Sequence, residues 1–280
     1  MNGVCMSTVY HYCDLNAFLS IIKNKKLWLS CIDNMNDRTE VLHFRSALFK
    51  KMDLICNDAN KDILNIFHQL LERQFPKPYI CCFSRNGDVL SQWRAYAADG
   101  CGISIGFELN SFNFNDNSPF MSLNKKDSIG SSAVRYMTDS EINSEIDKIL
   151  SLIFQAKEFN DSDRFLKLNE IVHLVRRCCL FTKNSYFSEE EEVRVAHLPM
   201  LMTNMDGAHI NACSVSDIMH RVVRNRIASY FELDFADLVS PIKNIILGPK
   251  CEVTEYELGL FLNMYGQSKI PITRSGASYR

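Results

Sequence analysis

Hydrophobic and polar positions along the chain switch repeatedly between a period of two and a period near 3.6, the signatures of strands and amphipathic helices. "TVYHY" is a β-rich opening, and Asp14 can cap a helix carrying Leu15, Phe18, Leu19 and Ile22, after which "KLWLSCI" returns to the strand pattern. "NMNDRTE" then reads as a turn, and Val41, Leu42, Leu48, Met52 and Ile55 predict a helix, with a second near residues 60–74. Pro76 and Pro78 precede "YICCFS", a buried strand that leads through "RNGD" into the short amphipathic piece "VLSQWRAYA" and the strand "CGISIGFEL".

The Asn- and Ser-rich stretch "NSFNFNDNSPFMSLNKKDSIGSS" is expected to be a long loop, followed by a strand at "AVRYM". Ile142, Ile146, Ile149, Ile153 and Phe154 predict a helix over 139–158, and Phe165, Leu168, Val172 and Val175 one over 161–181. "EEVRVAHLP" alternates as a strand, 215–231 is expected to be helical, "IKNIILGP" to be a strand and 254–265 a last helix, before the short strand of "KIPITRSGASYR". Together these elements predict an α+β fold: a mixed, mainly antiparallel central sheet with flanking helices. They form a single domain over 1–280, with a loop and helical-hairpin insertion at 111–181.

Composition adds limits. With 46% apolar and 23% charged residues the chain has an ordinary globular balance, and a net charge of −2 makes any nucleic-acid contact a local one. Eleven cysteines, with Cys81-Cys82 and Cys178-Cys179 adjacent inside apolar runs, suit neither a disulfide framework nor a metal site and are expected in the core of a protein kept in a reducing compartment. No signal segment and no membrane-length apolar run is found, so the expectation is a cytoplasmic protein with no membrane partner.

Four clusters carry candidate chemistry: Tyr10-His11-Tyr12, Asn36-Asp37 with Glu40, Trp93-Arg94 with Tyr96, and Lys183 through Arg194. Each has an ordinary structural alternative. A histidine between tyrosines is by default hydrogen-bonded scaffolding, "NDRTE" resembles a capping box, and Trp93 and Tyr96, three apart, can be a core pair. Glu189 to Glu192 could be an exposed helix entrance. If the stretch is a strand, Glu190, Glu192 and Arg194 share one face, with carboxylates about 7 Å apart beside a guanidinium. Such a pair can stabilise a cationic transition state and accept a proton.

"VYHYCDLNAFLSIIKNKKLWLSCIDNMNDRTE", "CCFSRNGDVLSQWRAYAADGCGISIGFE", "KNSYFSEEEEVRV" and "IKNIILGPK" resemble the signature blocks of a bacterial family called domain of unknown function 2971. The order of histidine on a first strand, an aromatic after the "YICCFS" strand and a late Glu-x-Glu strand is also similar to the His-Tyr-Glu plan of ADP-ribosyltransferases. That second resemblance implies an enzyme of bacterial defence or a toxin, with NAD as its substrate, no metal, and a nucleic acid or protein as acceptor. It assigns catalysis to Glu192, Glu190 and His11, and NAD binding to His11, Tyr12, Ser30, Trp93, Tyr96 and Arg194. It leaves the choice between Glu190 and Glu192, and between Trp93 and Tyr96, open. Two other expectations compete: a Mg²⁺-dependent nuclease using Asp88, Glu190 and Glu192, and a non-catalytic nucleic-acid-binding or sensor module using Arg221, Arg224 and Arg226 on a helix.

Overall fold

A computed structural model describes residues 8–34, 38–73, 77–114, 119–203, 206, 209–223 and 225–279. Asn36 and Asp37 and the Glu40 side chain, which carry the capping-box expectation, lie outside the described part, as does Arg224.

The chain opens with β1 (Thr8–Cys13), α1 (Leu15–Asn24) and β2 (Lys26–Cys31). The Asp14 side chain accepts a 2.7 Å hydrogen bond from the Ala17 amide, so the first helix begins where a capping acid was expected. α2 (Arg38–Ile55), α3 (Lys61–Arg73), β3 (Tyr79–Ser84), α4 (Leu90–Tyr96) and β4 (Ile103–Glu108) follow. Beyond them come β5 (Ile129–Ala133), β6 (Arg135–Met137), α5 (Asp139–Gln155), α6 (Asp161–Phe181) and β7 (Thr182–Asn184). The last third holds β8 (Glu192–His197), β9 (Met200–Thr203), β10 (His209–Cys213), β11 (Met219–Val223), β12 (Arg226–Asp234), β13 (Ile242–Leu247), α7 (Glu255–Met264) and β14 (Ile272–Arg274).

Ten strands form one mainly antiparallel sheet along the path β11-β12-β2-β3-β1-β4-β13-β14, with β8 added to β3 and β5 added to β8. β3 is the fork of this sheet. One edge carries β8 along its whole length, Tyr79 opposite His197 through Ser84 opposite Glu192. The other edge is divided: β2 pairs at Tyr79 and Ile80, and β1 only at Ser84. The backbone between those two contacts faces a split in the sheet.

Alternation on β3 and β8 feeds two cores. Tyr79, Cys81, Phe83, Val193 and Val195 join Leu27, Leu29, Ile105 and Phe231 in one, closed by Phe18 of α1 and Leu258 of α7. Ile80 and Ala196 join the other, built from Phe44 and Leu48 of α2, Phe67 of α3, Ile146 of α5 and Val172 of α6. The expected helical hairpin thus packs on α2 and α3. α5 starts with a complete capping box, Thr138 and Glu141 bonding each other's backbone amides. Cys81, Cys178 and Cys179 are buried apolar residues, and their burial pushes the thiols up to about 12, about 11 and about 12. Among the described residues no helix is long and apolar enough to cross a membrane.

Two segments differ from expectation. Residues 215–231 are not a helix: β11 and β12 form a hairpin, Val223 opposite Arg226, with Asn225 at φ +63° in the turn. Ile218 and Val222 fit a helical spacing, but β-branched Val222, Val223 and Ile227 around an Asn that tolerates the left-handed conformation favour the hairpin, and pairing with β2 secures it. "SIGSS", expected within the loop, supplies β5, because β8 offers it an unpaired edge.

Candidate active site

β8 begins at Glu192 because Glu191 takes φ +44°, which ends the strand geometry. Glu190 therefore does not share the strand face with Glu192 and Arg194 as expected; it closes the 3₁₀ turn Ser185–Glu190, entered through Asn184, whose side chain accepts from the Tyr186 amide. It still reaches the same place by another route. Lys183 Nζ donates to Glu190 Oε2 at 2.7 Å and lies 3.8 Å from Glu192 Oε2.

Glu192 and Arg194, two apart on β8, face one way and pair side-on: Nε to Oε1 at 2.8 Å and Nη2 to Oε2 at 2.9 Å. Arg194 Nη1 also donates to the Leu180 carbonyl at 2.8 Å, one of the last α6 carbonyls that helix geometry leaves unpaired. Glu192 is 7% exposed and Arg194 3%. Burial alone would push the Glu192 carboxyl up, but the charge and hydrogen bonds of Arg194, the Lys183 ammonium and the Cys82 thiol outweigh it and hold the group below the ordinary glutamate value. Glu192 is an anion at neutral pH.

Four further side chains border these charges. The Glu192 amide donates to the Tyr136 hydroxyl at 2.7 Å, and burial raises that phenol to about 12. Burial, then the nearby Glu192, raises the Cys82 thiol well above its usual value, keeping it protonated. Tyr96 at the end of α4 is 43% exposed, and burial of its hydroxyl followed by the charge of Glu190 raises its pKa. The Phe187 ring lies 4.5 Å from Lys183 Nζ. Two carboxylates, two cations and a half-exposed phenol thus meet at the β3–β8 edge.

His11 stands at the split itself. Its Nδ1 is 3.0 Å from the Cys82 carbonyl, in the stretch of β3 that neither β1 nor β2 pairs. A carbonyl only accepts, so Nδ1 carries the proton and Nε2 the lone pair. Burial, partly offset by that hydrogen bond, keeps the ring's pKa below the usual histidine value. The imidazole packs against Phe83 at 5.6 Å, on the strand face opposite Cys82 and Glu192, so it touches the charge cluster only through the β3 backbone.

Trp93, Tyr12, Ser30 and Asp88 sit elsewhere. Trp93 is fully buried, edge-on to Tyr12 at 4.8 Å, and its Nε1 donates to Asp88 Oδ1 at 2.7 Å. No face of the indole is left for a ligand, and Tyr96 is the aromatic at the cluster. The Tyr12 hydroxyl donates to the Asn86 carbonyl and accepts from the Val89 amide, which fixes the loop before α4. Ser30 Oγ accepts from Arg221. Arg194 is spent on Glu192 and Leu180 and offers little to a phosphate. Asp88, a ligand in the nuclease expectation, is engaged by Trp93, Ser275 and Gly276, and among the described residues no three His, Cys, Asp or Glu side chains group as a metal site.

Lys183, Cys82 and Tyr136 carried no individual assignment. Lys183 lies within the singled-out run and its charge next to four glutamates was a usable signal. Cys82 reads as core and Tyr136 belongs to a short strand 56 residues from its partner, so only the tertiary pairing reveals them.

Residues 92–195 match the model of a family described as protein of unknown function (DUF2971). The match runs from α4 through β8 and so contains Tyr96, Tyr136, Lys183, Glu190, Glu192 and Arg194. No curated protein and no solved structure matches the chain.

Proposed function

We propose that the protein cleaves the nicotinamide–ribose bond of NAD and transfers ADP-ribose to a macromolecular acceptor. The observation that carries this reading is the gathering of Glu190 and Glu192 beside the half-exposed Tyr96 ring at the β3–β8 edge. Breaking the bond between ribose C1′ and the nicotinamide nitrogen leaves positive charge on the sugar, while nicotinamide departs with the electron pair as a neutral ring. A fixed anion nearby lowers the cost of that charge. Glu192, tied on both oxygens, supplies the fixed charge. Glu190 is held through one oxygen by Lys183 and takes the proton that the acceptor hydroxyl or amine loses as it bonds to C1′. Tyr96 offers a flat surface to the leaving ring. His11 shapes the split from the opposite strand face.

The test is nicotinamide release and transfer of label from adenylate-labelled NAD to protein and nucleic-acid fractions. Glu190→Gln should keep the fold and lose about 10²- to 10⁴-fold in rate, the span of a general base. Tyr96→Ala should raise KM more than it lowers kcat. Undetectable release by the wild-type chain with every acceptor class, or full activity in Glu190→Gln, overturns the assignment.

A further inference from the structure

Arg221 and Arg226, expected on a helix face, share a strand face instead, and that changes what they can do. Along β12, Tyr230 is opposite Ser30 of β2, and Glu232 is opposite Trp28, so these side chains share one face of the sheet. Arg221 of β11 faces the same way, opposite Ala228. Its guanidinium lies over the Trp28 ring at 4.9 Å and near the Tyr230 ring at 5.9 Å, the two rings being 4.6 Å apart and tilted by 39°. Nη2 donates to Ser30 Oγ at 3.0 Å. Nε is buried without a hydrogen-bond partner.

Among the described residues no carboxylate answers this charge. The nearest acid on the face, Glu232, is paired at 2.5 Å with Lys26. Burial lowers the Arg221 pKa with only the Tyr230 hydroxyl acting against it. A half-buried cation lacking a counter-charge is costly for the free protein and is relieved by an anion. Next to it, Trp28 keeps 38% of its surface exposed, although tryptophan is costly to leave in water. Arg226, exposed two residues before Ala228 on the same face, adds a second positive charge about 7 Å along the strand.

We propose that Arg221, Trp28 and Tyr230 form a binding site for a nucleotide, with the phosphate on the Arg221 guanidinium and the base on the uncovered part of the Trp28 ring. Arginine presents a fork of donors suited to phosphate oxygens, and an indole stacks on any base, so the site recognises a phosphorylated nucleoside without selecting its sequence. Such a unit can arrive as a free nucleotide or within a single strand of RNA or DNA. The same face leads, through Ser30 opposite Ile80 and Ile80 opposite Ala196, to Arg194 and Glu192 on β8, although the site needs none of those charges to bind.

Trp28 is half-exposed and Trp93 enclosed, so quenching of intrinsic fluorescence reports ligand at Trp28. The full chain is titrated with inorganic phosphate, adenosine, adenosine monophosphate and a short single-stranded oligonucleotide, and the last is also followed by anisotropy of a labelled strand. The monophosphate should quench saturably and bind at least tenfold tighter than phosphate or adenosine alone. Arg221→Gln should weaken it at least tenfold while leaving the thermal melt within a few degrees of wild type, and Trp28→Leu should abolish oligonucleotide anisotropy. Tighter binding of the oligonucleotide, weakening with salt, identifies a nucleic-acid strand as the source, and equal affinities identify the free nucleotide. Absence of saturable binding by both monophosphate and oligonucleotide, or unchanged affinity in Arg221→Gln, overturns the site. None of the probes carries nicotinamide, so that failure would leave the reading of the carboxylate cluster standing.

Discussion

The charge cluster on β8 and the knot around Asp88 both centre on a carboxylate among aromatic rings, yet they are built for different ends. Asp88 accepts from the Trp93 indole, the Ser275 hydroxyl and the Gly276 amide, and the same C-terminal segment continues to Tyr279, whose hydroxyl reaches Asp99 and whose ring underlies Lys250 at 3.8 Å. The knot thus holds α4 at both ends, with every oxygen of Asp88 satisfied by neutral donors. Around Glu192 the acids and bases are instead balanced against one another, and Glu190 and Tyr96 keep access to solvent. A carboxylate saturated by neutral donors fastens one element to another. A buried charge balance with one accessible member stores electrostatic potential that a ligand can draw on.

The most severe way to break this contrast is Glu192→Ala, which strands Arg194 in the interior and should cost about 3 to 5 kcal/mol in urea unfolding. A loss under 1 kcal/mol would mean that the cluster is not the charge-balanced unit described. Asp88→Ala should cost less, about 1 to 3 kcal/mol, since it leaves neutral donors unsatisfied. Its signature is a change in Trp93 fluorescence with nicotinamide release reduced through displaced Tyr96; a silent indole would dissociate the tail from α4.

Acid sharpens the comparison. Burial pushes the Asp88 carboxyl up, but the bonds from Ser275, Trp93 and Gly276 hold it below the ordinary aspartate value, and Glu192 is likewise depressed. Stability from both is therefore intact above the usual carboxylate range and is lost only as pH falls through their lowered values. His197, at the other end of β8, behaves differently. Burial lowers it to about 4 while its Nδ1 donates to the Ser128 carbonyl. The unfolded chain, with a histidine value of about 6.5, takes up this proton first, so stability falls by about 1.4 kcal/mol per pH unit from there toward 4. His197→Gln should flatten that slope in melts between pH 7 and 5, and an unchanged slope would assign it to another group. Smallest of all, Tyr96→Phe should shift the melt by no more than about 0.5 kcal/mol, as for an exposed position; a larger loss would place its hydroxyl in the architecture with Asp88.

Much of this was legible in the chain, and where it was not the reason is physical. Asp14 before Leu15, the isoleucines of α5 and the apolar run of β3 declare their elements because capping and burial act over a few residues. The hairpin of β11 and β12 escaped because a stretch with both periods is decided by its neighbour, here β2. β5 has almost no pattern of its own and exists by pairing with β8. In the charge cluster, the run of glutamates was visible as a run, but Glu190 was put on a strand face that a left-handed Glu191 interrupts, with neither glycine nor proline to mark the break.

By itself, then, the sequence determined an α+β chain with a mainly antiparallel sheet, a capped helical hairpin, cysteines fit for a core, and an acidic run beside Arg194. Those properties follow from periodicity, capping and transfer from water, all local to a few residues. The tertiary structure alone decided which charges meet: that Lys183 bridges Glu190 toward Glu192, that Trp93 is enclosed while Tyr96 is not, and that Arg221 lies on Trp28 with no carboxylate beside it among the described residues. Electrostatic partnership depends on distance and burial across strands tens to nearly two hundred residues apart, and the order of residues along a chain does not encode those until the sheet has formed.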